Sequence, residues 1–233
     1  MFGKTHFGIL TAGAVAGLAL LSAGKAQANM ILNGDFSANA SSYTSWPGYS
    51  ASPNPSSPTD WTINNVTVGV NGPDTGFYAT NGEPFAPTST AGVNDFAFIQ
   101  NQNSYLFQTV ATTVGQSYSL TYDAAARAGD AAAGMNDILD VVIANANTQA
   151  VITSQTPAIT ETGFNSFTLN FTATSASTAI TFANTTNSSN GPTVDVSNVS
   201  LNPVPEPATL GLVALGGIAL LLIGRKRATR RNT

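Results

Sequence analysis

The sequence predicts an all-β protein: a two-sheet β-sandwich flanked by an N-terminal signal helix and a C-terminal apolar helix. Three observations carry that expectation. Hydrophobic residues alternate with polar ones at period 2 in several short runs, Asn-Gly pairs punctuate them, and no sustained helical period lies between the two ends. Charged residues make up only 9 % of the chain while hydrophobic ones reach 42 %, a balance that suits a packed domain rather than a solvated coil. Setting the ends aside leaves about 180 residues, enough for one core.

The strands follow from the alternation. Ser166–Phe171 places Phe167, Leu169 and Phe171 on one face, and Tyr118–Tyr122 and Thr178–Phe182 repeat the device. Further strands are expected at Met30–Phe36, Trp61–Val70, Phe96–Ile99, Tyr105–Val110, Leu139–Ile143, Val151–Ser154 and Thr193–Leu201. Asn-Gly turn signals stand at 33–34, 71–72, 81–82 and 190–191. About ten short strands, each with one buried face, make a sandwich. The stretch Ser37–Asp60, with four prolines and many Ser and Thr, reads as a long loop over it. No internal repeat is present, and the chain divides into a signal peptide at 1–28, one β-sandwich domain at 29–201, a linker with the Pro-Glu-Pro motif at 202–207, a C-terminal transmembrane helix at 208–224 and a basic cytoplasmic tail at 225–233.

Charge placement excludes several functions. Of the eight bases only Arg127 lies between Asn29 and Pro207, whereas all twelve acids do, giving that interval a net charge of −11. Such a surface does not bind nucleic acid by counterion release. The chain has no Cys, and its one His is His6, inside the expected signal. A mature protein without imidazole or thiol has no Ser-His-Asp or Cys-His nucleophile and no His or Cys zinc site. Paired carboxylates and oxygen-ligated calcium are the chemistries left.

The ends specify delivery. Residues 1–28 combine Lys4, an apolar run from Phe7 to Leu21, and Ala26-Gln27-Ala28, which predicts cleavage by signal peptidase before Asn29. The other end reads Val204-Pro205-Glu206-Pro207, apolar Ala208–Ile223, then Arg225-Lys226-Arg227 and Arg230-Arg231. Sixteen apolar residues reach about 24 Å as a helix, short for a hydrocarbon core of about 30 Å. The basic cluster would stay cytoplasmic and leave the domain outside. The two prolines keep the chain extended before the helix. Pro-Glu-Pro, a short Gly-rich apolar segment and an Arg-rich end together resemble the PEP-CTERM sorting signal. That resemblance implies a Gram-negative bacterium making extracellular polysaccharide, and an exosortase-type enzyme that cuts near the motif. It implies an inner-membrane-anchored precursor that passes to the cell surface or matrix.

A second resemblance lies within the domain. Asn33-Gly34-Asp35-Phe36, the blocks Leu106–Val110 and Gly115–Gly129, and the closing Gly191–Leu201 resemble jelly rolls of the carbohydrate-binding-module and galactose-binding-like families. These blocks span roughly residues 30–201. The resemblance implies a structural Ca2+ joining first and last strands, with Asp35 and Asp195 as carboxylates and Asn33 supplying a carbonyl. Here the usual Asp-Asn-Val ending is Asp195-Val-Ser-Asn198-Val. The alternative for Asp35 is a turn in which it hydrogen-bonds its own backbone.

A sugar site needs an aromatic platform. Trp46 and Tyr49, in the Pro- and Ser-rich loop, are the candidates, and the alternative for Trp46 is a loop anchor tucked into the sandwich edge. Arg127 would pair with Asp123 or Asp130, a surface pair worth little. Asp137 and Asp140, three apart on a strand start, do not face each other and make a weak glycosidase pair. The leading expectation is a non-enzymatic surface or matrix protein contacting extracellular polysaccharide. The alternatives are a carbohydrate-active hydrolase and a purely structural matrix protein.

Overall fold

The computed structural model describes residues 29–82, 85–188 and 190–205. The signal, the apolar segment, the basic tail and Glu206-Pro207 of the sorting motif lie outside them. Among the described residues no helix is long and apolar enough to cross a membrane.

Ten strands form two antiparallel five-stranded sheets packed face to face. They are β1 (Thr62–Ile63), β2 (Val68–Asn71), β3 (Phe96–Gln100), β4 (Tyr105–Ala111), β5 (Ser117–Ala126), β6 (Leu139–Asn145), β7 (Val151–Gln155), β8 (Asn165–Thr172), β9 (Ser177–Asn184) and β10 (Thr193–Pro203). The first sheet runs β2-β3-β10-β5-β8 and the second β1-β4-β9-β6-β7. The period-2 residues meet between them: Leu106, Val110, Leu120, Tyr122, Leu139, Val141, Ile143, Ile180, Phe182, Val194 and Val196 are all buried in one core. Burying each large apolar side chain contributes about 1.5–3 kcal/mol. Tyr122 satisfies its hydroxyl by donating to Gln155 Oε1 at 3.0 Å.

Two expected strands turned out differently. Met30–Phe36 is not a strand, because Asn33 (φ 48°) and Phe36 (φ 59°) turn the chain. The segment still docks on β10: Met30 N–H donates to the Leu201 carbonyl (3.0 Å) and Val199 N–H to the Gly34 carbonyl (2.9 Å). Trp61–Val70 is broken into β1 and β2, which enter different sheets. The expected linker at 202–207 begins inside β10, whose last residues are Asn202 and Pro203. Val204 is held as well, its N–H donating to the Ser117 carbonyl and its carbonyl accepting from Gln116 Nε2, both at 2.8 Å.

The outer faces of the two sheets differ. On the first sheet Phe96 and Phe98 point away from the main core, yet neither is exposed. They sit beneath a loop layer in a second cluster with Phe85 and Val93, against which Tyr49 and Phe164 pack. The outer face of the second sheet has no such cover among the described residues.

Candidate functional site

The uncovered outer face of the second sheet is the best-formed candidate. β4 alternates Leu106, Gln108 and Val110 inward with Tyr105, Phe107 and Thr109 outward. The register sets Phe107 opposite Thr181 of β9, and Thr181 opposite Val142 of β6. The neighbouring row holds Thr109, Ala179 and Ala144. Two rings therefore stand on one strand, 6.3 Å between centroids and tilted by 48°, beside a floor of small side chains. The result is an open recess of about 320 Å³, with Asn145 and Gln149 supplying amides at one end. No carboxylate lines it; Asp140 stands on β6 opposite Ala183, the β9 partner of Tyr105, and accepts from the Thr156 hydroxyl at 2.6 Å. A half-buried pair of rings over a neutral floor suits a ligand with flat apolar faces and hydroxyl edges.

Tyr105 and Phe107 were missed in the sequence, although a signal exists. Two aromatics in phase with each other and out of phase with Leu106 and Val110 put large rings on the face a sandwich strand gives to solvent.

The sequence-predicted aromatic pair is divided. Trp46 is 56 % exposed on a turn closed by Gly48 N–H to the Ser45 carbonyl at 3.0 Å. The Trp46–Pro47 and Ser52–Pro53 peptide bonds are cis. Tyr49, three residues on, packs inward against Phe85 and Phe98 (centroids 5.7 Å from each), with its hydroxyl on Gln100 Oε1. Burial raises the pKa of that phenol. The two rings therefore do not form one platform.

Asn33, Asp35 and Asp195 do not gather either. Asp35 Oδ1 accepts from Ser37 N–H (3.3 Å) and the Ser37 hydroxyl (3.0 Å), the turn alternative. Asn33 uses its amide on Thr59 O and its Oδ1 on Ala38 N–H. Asp195 is buried on the outer face of the first sheet, opposite Phe98 on β3 and Ala125 on β5. The residue of β10 that meets Gly34 is Val199, four positions further, on the order of 13 Å along a strand. A bulge between Ser197 and Ser200 intervenes, with Asn198 at φ 50°. These residues do not fit a single calcium site. The Asn-Gly-Asp-Phe block has a structural account instead. A Cβ on Gly34 would lie 2.0 Å from the Val199 carbonyl oxygen. Phe36 stacks on Trp61 (5.3 Å), whose indole N–H donates to the Asn33 carbonyl at 2.9 Å.

The carboxylates gather where the loop layer meets the first sheet. Asp95, 1 % exposed, lies within hydrogen-bonding reach of the Asp74 carboxyl, and Asn94 Nδ2 donates to Asp74 Oδ2 at 2.7 Å. Burial, with the Asp74 charge adding to it, pushes Asp95 up to about 7. Asp137 is likewise pushed up to about 7, by burial first and then by Asp130, with which it shares a hydrogen bond. Asp130 is raised chiefly by burial; its Oδ2 accepts from Thr193 N–H (3.1 Å), and Arg127 lies 3.8 Å from its Oδ1. Arg127 thus pairs with Asp130 rather than Asp123, and also covers the Phe85 ring at 5.2 Å. Each pair is in direct contact with one member buried, which leaves no space for a sugar between acid and nucleophile. Asp140 is bonded to Thr156 and takes no part. Among the described residues no group of three or more acids could hold a metal ion.

Comparison with known proteins fixes the family. A model described as "Protein of unknown function (DUF642)" matches residues 29–200. The chain belongs to the DUF642 family. A second model, the PEP-CTERM protein-sorting motif, matches residues 203–228 directly after the DUF642 domain. No curated protein matches the chain. Among solved structures, a family 61 carbohydrate-binding module in complex with β-1,4-galactotriose is similar at 9 % identity, covering 76 % of this chain and 100 % of its own, with a TM-score of 0.48. The CBM22-1 xylan-binding domain from Xyn10C of Paenibacillus barcinonensis matches at 7 % identity over 65 % of this chain and 90 % of its own, TM-score 0.44. A cyclase from Fischerella sp. TAU matches at 16 % identity over 73 % of this chain and 96 % of its own, TM-score 0.47. The neighbours thus include both carbohydrate-binding modules and an enzyme.

Proposed function

We propose that this DUF642 protein is exported by signal peptidase, sorted by an exosortase-type enzyme through its PEP-CTERM tail, and contacts extracellular polysaccharide without cleaving it. The precursor is held in the inner membrane of a Gram-negative bacterium by its apolar tail, and the mature domain reaches the cell surface or matrix. The sorting motif at 203–228 supports the delivery. The Tyr105–Phe107 platform supports the contact: two half-buried rings lie beside a neutral, hydroxyl-bearing floor. A sheet of five strands spaced about 4.8 Å apart gives a face roughly 19 Å wide.

The test is retention of the mature domain on the producer's own exopolysaccharide. Phe107→Ala and Tyr105→Ala are each expected to weaken retention by roughly tenfold, the worth of one ring contact, with the melting temperature preserved. Trp46→Ala is expected to change it less, since Trp46 stands on a separate loop. Unchanged retention in the folded Phe107→Ala protein would refute the platform, and loss on Trp46→Ala alone would move the site to that loop. Reducing-end release from the polymer would replace binding with hydrolysis.

A further inference from the structure

The acids of the sandwich are not spread evenly along its strands. β10 enters the sheet beside Arg127 and Asp130, where Thr193 N–H meets the Asp130 carboxylate and Glu161 accepts from Gly129 and Ala131 N–H. It leaves the sheet beside loops that are tied to one another. Thr112 N–H donates to Ala176 O (3.0 Å), Gly115 N–H to Ala173 O (2.9 Å) and Ala146 N–H to Ser177 O (3.1 Å). Stretches 111–119, 144–151, 170–178 and 199–205 make up this end, and none contains a charged side chain. Three of the exposed large apolar side chains are here: Val114 and Val151, each 63 % exposed, and Val204 at 39 %. A recess of about 450 Å³ lined by Ser117, Ser119, Asn170 and Thr172 opens next to Val204.

The chain leaves the fold at this neutral end with almost no slack. Val204 is still hydrogen-bonded to Gln116 and Ser117, and the apolar run begins at Ala208. Four residues reach at most about 14 Å, while the interfacial layer on one side of a bilayer is itself about 5–8 Å thick. A domain tethered so briefly rests on the headgroups. Carboxylates would be repelled there by anionic lipid; the four stretches carry none, Glu206 lies in the tether itself, and Asp35 sits farther up β10, beside Val199 and Ser200.

We propose that this end of the sandwich, formed by the loops carrying Val114 and Val151 and by Val204, is a seating surface for the lipid bilayer while the tail is attached. The strands then stand away from the membrane, β10 reaching about 36 Å over its eleven residues. The Arg127–Asp130–Glu161 end faces outward and the Tyr105–Phe107 platform lies on the flank. The inference rests on the reading that residues 208–223 insert in the membrane.

The protein has no cysteine, so single labelling sites can be introduced cleanly. Full-length precursors carrying Val114→Cys, Val151→Cys or, at the opposite end, Ala132→Cys are labelled with a fluorophore. They are reconstituted with phosphatidylcholine–phosphatidylglycerol vesicles whose headgroups bear a quencher. Labels at 114 and 151 are expected to be quenched severalfold more than the label at 132 in the fraction that floats with the vesicles. Equal quenching at all three sites in the floating fraction would overturn the seating surface while leaving tail insertion intact, and would leave this end free for a protein partner. Failure to float would overturn both. Matching melting temperatures confirm that all three variants are folded.

Discussion

The outer faces of the two sheets are built from the same alternating strands and have opposite fates. On the first sheet, β3 carries Phe96 and Phe98 outward, and the loop layer closes over them with Phe85, Val93, Tyr49 and Phe164. Phe85 and Phe98 stand only 4.7 Å apart. On the second sheet, β4 carries Tyr105 and Phe107 outward and nothing among the described residues covers them. The covered face spends its aromatics on stability and gathers carboxylates at its seams. The bare face keeps its aromatics half-exposed over a neutral floor. An aromatic pointing out of a sandwich is thus a second core where a loop lies over it and stays half-exposed where none does.

The sharpest way to break this comparison is to truncate one ring on each face. Phe98→Ala removes a fully buried ring from beneath the loop layer and is expected to cost about 3–5 kcal/mol, lowering the melting temperature by roughly 10 °C. Phe107→Ala is expected to cost about 1 kcal/mol or less, with its effect appearing in polymer retention. Calorimetry of the two variants decides it. Equal losses would mean that the second face is also a structural layer.

Much of this division was legible in the sequence, and the illegible part has physical causes. The core strands were readable because Phe167, Leu169 and Phe171, like Tyr118, Leu120 and Tyr122, repeat at period 2. The covering of β3 left a trace, since Phe96-Ala-Phe-Ile99 is continuously apolar and such a run needs cover on both sides. What covers it was not readable, because the packing of Tyr49 and Phe85 is set by loops with no period. The end of β10 defeated sequence reasoning around one bulge. The bulge between Ser197 and Ser200 slips the register by a single residue, and the opening segment docks beyond it, at Val199, four residues past Asp195. The strand expected at Met30–Phe36 failed because Asn33 and Phe36 adopt left-handed φ, which in the sequence is at best a weak signal.

The buried acids sharpen the comparison by a second route. Asp95 lies under the loop layer with its pKa pushed up to about 7, against about 3.9 in an unfolded chain. Below about pH 4 both states are protonated and the stability contribution is fully present. Between about 4 and 7 unfolding releases a proton, so stability falls as pH rises and the contribution is lost above 7. Asp137 acts in the same direction. The domain is expected to melt on the order of 5 °C higher at pH 5 than at pH 8. Asp95→Asn, which keeps the shape of the protonated acid, is expected to flatten that slope partly, Asp137 supplying the rest. A slope unchanged by Asp95→Asn would show that the seam at the loop layer is not its source.

The smallest expected effect concerns Asp35, where turn and metal readings diverge. As a turn, Asp35 is an exposed carboxylate accepting from Ser37 N–H and Oγ, and its loss removes two local hydrogen bonds. Asp35→Ala should then cost about 1 kcal/mol, with or without a chelator. As half of a metal seam, the same carboxylate would tie the opening segment to β10, and chelation would lower the melting temperature of the parent but not of the variant. The geometry favours the turn, because the opening segment is already tied to β10 without any ion. Asn29 Oδ1 accepts from Ile31 and Leu201 N–H, its Nδ2 donates to the Val199 carbonyl, and the Gly34 carbonyl accepts from Val199 N–H. A chelator-dependent melt in the parent that disappears in Asp35→Ala would reinstate the seam and require the opening segment to dock farther up β10, towards Asp195, than its contact with Val199.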